Sequence, residues 1–464
     1  MTAFRISSIA LDLGTTSIKV ALLDQHGELC NLVARPAPEI TVTGGHYESD
    51  ALAYAATAEQ VLDECIAQAG DCRSLGLCSQ RSSFLVWEQA TGQPLTPLIS
   101  WQDNRGSASC DALREHGKAI RRLTGLPLTP YYFAPKLCVV LQDNPAWLAR
   151  LEQGELRVGT LDTFLIWRWT GGKHFVTDAS MAARTLLMDI RREKWSQSLC
   201  TLFGIPLGIL PEIKPSAGLN LSLLNGLNLQ ASVGDQSAAL IASVRGNQSE
   251  ALVNLGTGCF VVRYLPSTKA IPEGYLHTLV YTARERHVHL AIEGTLNSIA
   301  AALAPYPVGE CSVKDMAADD IYCLAEPSGL GAPYFRGDIG IRFSQPVEHL
   351  SHRRIAGLLL EAVIFRVAQI LEEFHRECAI ERVYLSGGLS GLVCLQQGIA
   401  QCVPFGVYRL QQSETSLQGA ALLAAGMAPA SHRKSERIAI AGNTQALRQK
   451  YLRWKAWLDD LLAG

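Results

Sequence analysis

The sequence predicts an α/β chain with a hint of two related halves, and three observations carry that prediction. The stretch IALDLGTTSIKVALLDQHGELC, Ile9 to Cys30, sets two apolar alternating runs around a turn of Asp, Gly and two threonines. That is the pattern of paired strands. ALVNLGTGCFVVRYL, Ala251 to Leu265, repeats it in looser form around Gly-Thr-Gly. Segments of helical spacing lie between and after these runs, and strands alternating with helices build an α/β core.

Taken in order, the elements follow from local signals. A second turn at His26-Gly27 makes the start of the chain an antiparallel hairpin. After a Gly-rich break at Thr43 to His46, DALAYAATAEQVLDECIAQAG has helical spacing, with Asp50 as N-cap and Gly70 as stop. SLGLCSQRSSFLVWEQATGQPL returns to strand-like runs with a turn at Thr91-Gly92. An apolar run near Gly154 to Trp169 is broken at Asp162-Thr163. NLQASVGDQSAALIASVRG, residues 228 to 246, passes from strand through Gly-Asp into an Ala-rich helix, and a domain boundary is placed near Arg245 to Glu250. IAGLLLEAVIFRVAQILEEFHREC reads as a long amphipathic helix. IERVYLSGGLSGLVCLQQGIAQCV reads as strand, double-glycine turn and helix. RQKYLRWKAWLDDLLA closes the chain with a helix whose mixed charge favours a solvated face over a membrane anchor.

Bulk composition narrows the function. A chain of 464 residues is long enough for two or three domains with sizeable cores. Lys plus Arg is 41 against 43 Asp plus Glu, a net charge of -2, so nucleic acid is not expected as a main partner. The 13 cysteines are scattered, odd in number and form no CxxC pair, which fits reduced, mostly buried thiols in a cytoplasmic protein. Neither a signal peptide nor a run of apolar residues long enough to span a membrane is read.

Several loops could carry chemistry. Between Asp12 and Lys19, Gly14 lets the backbone turn closely, neighbouring amides can face phosphate oxygens, and Thr15 and Thr16 add hydroxyl donors. Asp12 repels a phosphate unaided but could hold a divalent cation, directly or through water. A plain hairpin turn reads the same way, and the loop matches neither GxxxxGK[ST] nor GxGxxG. Gly256-Thr257-Gly258 is a second phosphate-loop candidate or an ordinary β-turn. Gly387-Gly388, between a strand and a helix, could admit a nucleotide or simply connect the two elements. The three turns together weigh more than any one. Asp235 at a strand-to-helix junction could take a proton from a substrate hydroxyl, cap the helix, or do both. Arg81, Trp101, Gln102, Asp103 and Arg105 suit a polyhydroxylated substrate or a structural ion-pair network. Tyr131 and Tyr132 lie on a loop between prolines and suit packing. His287 and His289 would share a strand face, but no third ligand accompanies them and zinc is not expected.

At this point the chain resembles the FGGY family of carbohydrate kinases over nearly its whole length. LDLGTTSIKVAL resembles the family's first phosphate motif. WQDNR, TGLPLTPYYFAPK and VGTLDTFLIWRWTGGKHFVTDASMAARTLL resemble glycerol kinases in particular, and GDQSAAL, NLGTGCFV, IEGTLNS, GLGAPYF and SGGLS complete the series in order. The resemblance implies a two-domain actin-like, ribonuclease H-like ATPase fold with a central cleft. Residues 1–246 would hold the acceptor and the first phosphate loop, and residues 247–464 the nucleotide. It implies ATP and Mg²⁺ as cofactors, with Asp12, Gly14, Thr15, Thr16 and Lys19 near the metal and phosphates. Gly256, Thr257 and Gly258 would form the second phosphate loop, and Gly387 and Gly388 the adenosine side. Asp235 would be the catalytic base and, with Asp12, would face the metal. Arg81, Ser82, Trp101, Tyr131, Asp235 and Gln236 would surround a small polyol or sugar.

The departures from glycerol kinases bear on the acceptor. Ser82 stands where those enzymes have Glu directly after the Arg matching Arg81, and a serine lacks the charge and reach to accept two hydroxyl donors strongly. Phe133 replaces a usual small Ser. Leu392 and Val393 replace asparagines near the adenine. Lys19 replaces Arg, as in many sugar kinases of the family. The stretch between Gly294 and Gly329 is shorter than in typical glycerol kinases. A ketose or pentitol kinase of the xylulose or ribulose type stays open beside a glycerol-like kinase, as does a non-catalytic ATP- or sugar-binding regulator. An actin-like filament protein is a further alternative. A homodimer is left open.

Overall fold

The computed structural model describes residues 5–265, 272–285, 287–411, 414–431, 433–440 and 444–463. The chain forms two compact units. The first comprises Met1–Ala242, His277–Leu290 and Glu414–His432; the second comprises Ser243–Leu276, Ala291–Ser413 and Arg433–Gly464.

In the first unit, the strands β1 (Ile6–Leu13), β2 (Ser17–Asp24) and β3 (Leu29–Pro36) form an antiparallel meander. The strands β4 (Ser74–Ser79), β5 (Ala217–Ser222) and β6 (Asn228–Gly234) complete a sheet of order β5-β6-β4-β1-β2-β3. Its three central strands, β6, β4 and β1, run parallel. The helix Ala51–Ile66 starts as its sequence predicts, with Asp50 Oδ1 accepting the amides of Leu52 at 2.8 Å and Ala53 at 2.9 Å. It buries Ala51, Tyr54, Ala55, Ala58, Val61, Leu62 and Cys65, the stripe expected of a helix lying on a sheet. Its regular turns end at Ile66, before the expected stop at Gly70. The apolar run to Trp169 resolves into a strand, Leu156–Thr160, and a helix, Leu161–Trp169. Asp162 and Thr163 fall in the first turn of that helix, where polar residues suit the unbonded amides.

A helix from far along the chain, Thr415–Ala425, packs on the same sheet. Ser8 Oγ and Ser74 Oγ donate to its Ala421 and Ala424 carbonyls at 2.8 and 3.0 Å. The approach is so close that a Cβ on Gly76 would stand 2.2 Å from the Ala420 carbonyl oxygen.

The second unit is built around β7 (Glu250–Leu255), β8 (Cys259–Leu265), β9 (Arg382–Ser386), β10 (Gly406–Leu410) and β11 (Ser435–Arg437). Here β7 pairs antiparallel with β8 and parallel with β9, β9 runs parallel to β10, and β11 returns antiparallel. The long helix His352–Glu377 supplies much of the core, with Leu359, Ile364, Phe365 and Phe374 buried. The closing helix Thr444–Ala463 turns Tyr451, Trp454 and Leu458 into the same core. Among the described residues no helix is long and apolar enough to cross a membrane.

Candidate functional site

Register places the first unit's candidate residues. Asp12 of β1 lies opposite Cys78 of β4, and Gly234 at the end of β6 lies opposite Ser79 of β4. The carboxyl ends of three neighbouring parallel strands therefore present Asp12, the Gln80-Arg81 pair and Asp235, the place where open α/β sheets bind ligands.

Asp235 opens the helix Asp235–Ser243, and its Oδ1 accepts the Gln236 amide at 2.7 Å. The same oxygen lies 3.6 Å from Arg81 Nε, and the Arg81 guanidinium also donates to Gln236 Oε1. The Arg81 side chain is only 9% exposed, whereas Asp235 keeps 33% of its side chain open. Burial raises the Asp235 carboxyl above its ordinary range, while the Arg81 guanidinium, the Gln236 amide and the Arg184 guanidinium pull it back. Asp12 is pushed up to about 7, first by burial and then by the negative charge of Asp235; the Cys78 thiol and the Lys19 ammonium oppose the shift. Its Oδ1 is buried with no hydrogen-bond donor. The charge of Asp235 raises the proton affinity of Asp12, whose Oδ1 is orphaned, and this pair of carboxylates makes a donor set that fits a hard divalent cation.

The turn after Asp12 is cross-braced. Tyr54 Oη donates to the Gly14 carbonyl at 2.7 Å. Thr15 Oγ1 accepts Trp101 Nε1 at 3.0 Å and lies 3.4 Å from Gln80 Oε1, which also accepts Ser83 Oγ at 2.9 Å. Thr16 is exposed, and its carbonyl accepts the Ala37 amide at 3.1 Å. Lys19 is held by both Glu414 oxygens at 3.0 and 2.8 Å. Trp101 remains 38% exposed beside this network, and Tyr131 is 50% exposed on its loop. Ser82 is placed differently from its neighbours. It is buried, and its hydroxyl donates to the Arg184 carbonyl at 2.9 Å. That donor is thus spent within the protein. Asp103 and Arg105 form a structural ion pair at 2.8 Å, which Glu48 joins at 2.5 Å.

In the second unit, β7 and β8 are joined by Gly256-Thr257-Gly258, with the Gly256 amide on the Gly258 carbonyl at 2.9 Å and Thr257 at the exposed tip. Parallel register sets Asn254 of β7 opposite Ser386 of β9, so the Gly387-Gly388 turn lies beside this loop. Gly387 has φ 87°, and a Cβ there would meet Asn254 Oδ1 at 2.4 Å and the Leu255 carbonyl at 2.5 Å. Only glycine satisfies both demands. A short 3₁₀ turn, Gly388–Gly391, precedes the helix Val393–Cys402, whose first turn carries no side-chain cap. Backbone turns this close, ending in uncapped amides, fit the anionic part of a nucleotide.

Sequence reasoning missed Tyr54, Cys78, Gln80, Arg184 and Glu414. Gln80 had a signal, as a polar residue ending an apolar strand. Glu414 had none, being 395 residues from Lys19 along the chain. His289 stacks on Tyr281 at 4.1 Å, and burial lowers its imidazole to about 4. A surface cavity of about 610 Å³, lined by Glu59, Gln89, Trp167 and Leu224 among others, shares none of the acceptor-side residues.

Comparison with known proteins gives the family and the fold. Residues 7–241 match the N-terminal domain of the FGGY family of carbohydrate kinases, and residues 251–428 match its C-terminal domain. The chain is 33% identical to a glycerol kinase of Trichlorobacter lovleyi, covering 90% of this chain and 89% of that one. It is 31% identical to a glycerol kinase of Xanthobacter autotrophicus, covering 90% and 89%. Among solved structures, a Plasmodium falciparum glycerol kinase with ADP superposes with a TM-score of 0.85 at 21% identity, covering 98% of each chain. A xylulose kinase from Rhodospirillum rubrum gives 0.82 at 18% identity, covering 98% of this chain and 99% of that one. These likenesses show the mixed α/β, two-domain fold of sugar kinases. The chain belongs to the FGGY family of carbohydrate kinases.

Proposed function

We propose that the protein transfers the γ-phosphoryl group of ATP to a hydroxyl of a small polyol or sugar. The observation that carries this reading is the Asp235 carboxylate, buried enough to be made more basic yet open over a third of its side chain, with Arg81 and Gln236 fixed beside it. An acceptor hydroxyl that reaches Asp235 gives up its proton to the carboxylate as its oxygen attacks phosphorus. Arg81 and Gln236 hold neighbouring hydroxyls, and the exposed indole of Trp101 covers an apolar carbon face. In the first unit Lys19 and the amides after Gly14 are assigned to phosphate oxygens; in the second, Gly256, Thr257, Gly258, Gly387 and Gly388 are assigned to nucleotide binding. Asp12, with Asp235 across from it, would hold Mg²⁺. That ion supplies charge neutralisation on the transferring phosphoryl group.

Within this reading, residues 1–246 serve the acceptor and the first phosphate loop, and 247–464 the nucleotide. A cytoplasmic location and a homodimer accompany it. Ser82 favours a second acceptor class. It brings no carboxylate, and its hydroxyl is committed to the Arg184 carbonyl, so it offers an acceptor neither the charge nor the reach of the Glu that glycerol kinases carry there. A ketose or pentitol is the acceptor class this change favours. The deciding experiment is coupled ADP release with ATP, Mg²⁺ and a panel of glycerol, pentitols, aldoses and ketoses. Acceptor-dependent turnover with one of them is expected. ATP binding with no acceptor-dependent ADP across the panel would identify a non-catalytic regulator instead.

A further inference from the structure

Lys136 is fully buried, yet it has no part in the reaction as described. It lies in the first turn of the helix Phe133–Asp143, where the helix dipole disfavours a cation. Its Nζ donates to the Ser82 carbonyl at 3.0 Å and to the Ser100 carbonyl at 2.7 Å. No carboxylate touches it among the described residues; Asp103, the nearest acid to influence it, is occupied by Arg105 and the Tyr47 amide. Burial pulls its amine down to about 7, with Asp103 opposing and Arg105 adding to the shift. An ammonium is a costly way to satisfy two carbonyls, and such cost is concentrated where geometry serves function.

The two carbonyls show what that geometry is. The strands Phe84–Glu88 and Leu98–Ile99 pair antiparallel through Phe84 and Ile99, and their pairing stops there. Beyond the last rung the chains carry Arg81-Ser82 on one side and Ser100-Trp101 on the other. Ser83 Oγ accepts the Trp101 amide at 2.9 Å, and Lys136 closes the end of the pair. Ser82 has φ 64°, a left-handed conformation that a serine adopts only under constraint. That conformation turns Ser82 Oγ toward the Arg184 carbonyl and leaves Arg81 on Asp235 and Gln236.

We propose that Lys136 is a positioning residue for the acceptor, tying the Ser82 and Ser100 carbonyls so that Arg81 and Trp101 stand in fixed places at the opening over Asp235. The inference rests on the kinase reading above. It distinguishes Lys136 from a tie that only stabilises the fold, because the two loops carry the acceptor residues Arg81 and Trp101, while Thr15, which Trp101 Nε1 also reaches, keeps its own contact with Gln80.

The test is steady-state kinetics of the full-length protein, with acceptor and ATP varied separately, on Lys136→Met. The methionine keeps the apolar stem and removes the amine. At least a tenfold rise in acceptor KM is expected, with ATP KM within about twofold of wild type. Lys136→Gln, which still offers two N–H donors, should restore part of the loss, and it is the variant to read if the methionine variant does not fold. A folded variant with unchanged acceptor KM, or one in which both KM values rise together, overturns the inference while the kinase reading stands. A wild type without acceptor-dependent ADP release overturns both.

Discussion

Two opposing demands meet at position 235. A general base of the kind proposed for Asp235 must be ionised in the resting enzyme and still basic enough to accept a proton; burial raises this carboxyl and Arg81 opposes the rise. Burial shifts the carboxyl upward, so the base protonates at a higher pH than a free aspartate would. As pH falls through that raised value the active, ionised form is lost. The acid limb of kcat/KM for the acceptor should therefore lie above the ordinary aspartate value of 3.8, and Arg81→Gln, which removes the opposing guanidinium, should move it higher still. A limb at or below the ordinary value would contradict the proposed base. Asp235→Asn keeps the shape and removes the basicity. It should lower kcat by roughly 10²–10⁴ while calorimetry still detects the nucleotide. Near-wild-type transfer by this variant would show that another group takes the proton.

At the scale of elements, the helix Thr415–Ala425 and the strand β4 meet at Gly76 with no space for a side chain. Gly76→Ala forces a methyl against the Ala420 backbone, so the helix must lift from the sheet. A loss of about 2 kcal/mol or more in stability, read from the urea midpoint, is the expected result. Elements of this kind divide into those legible from sequence and those not. The hairpin from Ile9, the Asp50 cap and the Gly-Asp junction at 234–235 were legible because turn chemistry and periodicity are local. The boundary inside Gly154 to Trp169 was not: Asp162 and Thr163 look like a break, yet they suit a helix start. The positions of Asp12, Asp235 and the glycine turns could be read as chemistry. Ser82's inward-turned hydroxyl, Lys136's double tie and the Lys19–Glu414 pair could not, since each depends on a backbone angle or a partner remote in sequence.

For the molecule as a whole, near-neutral charge and scattered cysteines said little beyond excluding broad classes. All 13 thiols are free, and eight are buried. More telling is that the first compact unit is not a single stretch of chain. Residues 277–290 and 414–432 belong to it, and the latter carry both the Glu414 partner of Lys19 and the helix over Gly76. A fragment of residues 1–246 should therefore expose the apolar sheet face that this helix covers, give poorly dispersed amide NMR signals and aggregate. Adding a peptide of residues 414–431 should increase its solubility; a monomeric, well-dispersed fragment without the peptide would refute this. The same arrangement sets the order of events during synthesis. As the ribosome extends the chain, the sheet bearing Asp12 and Asp235 emerges early but lacks its cover until the helix Thr415–Ala425 has left the exit tunnel. Until then its apolar face is exposed, so the yield of active protein in a cell should respond to chaperone supply more than to the intrinsic speed of hairpin formation.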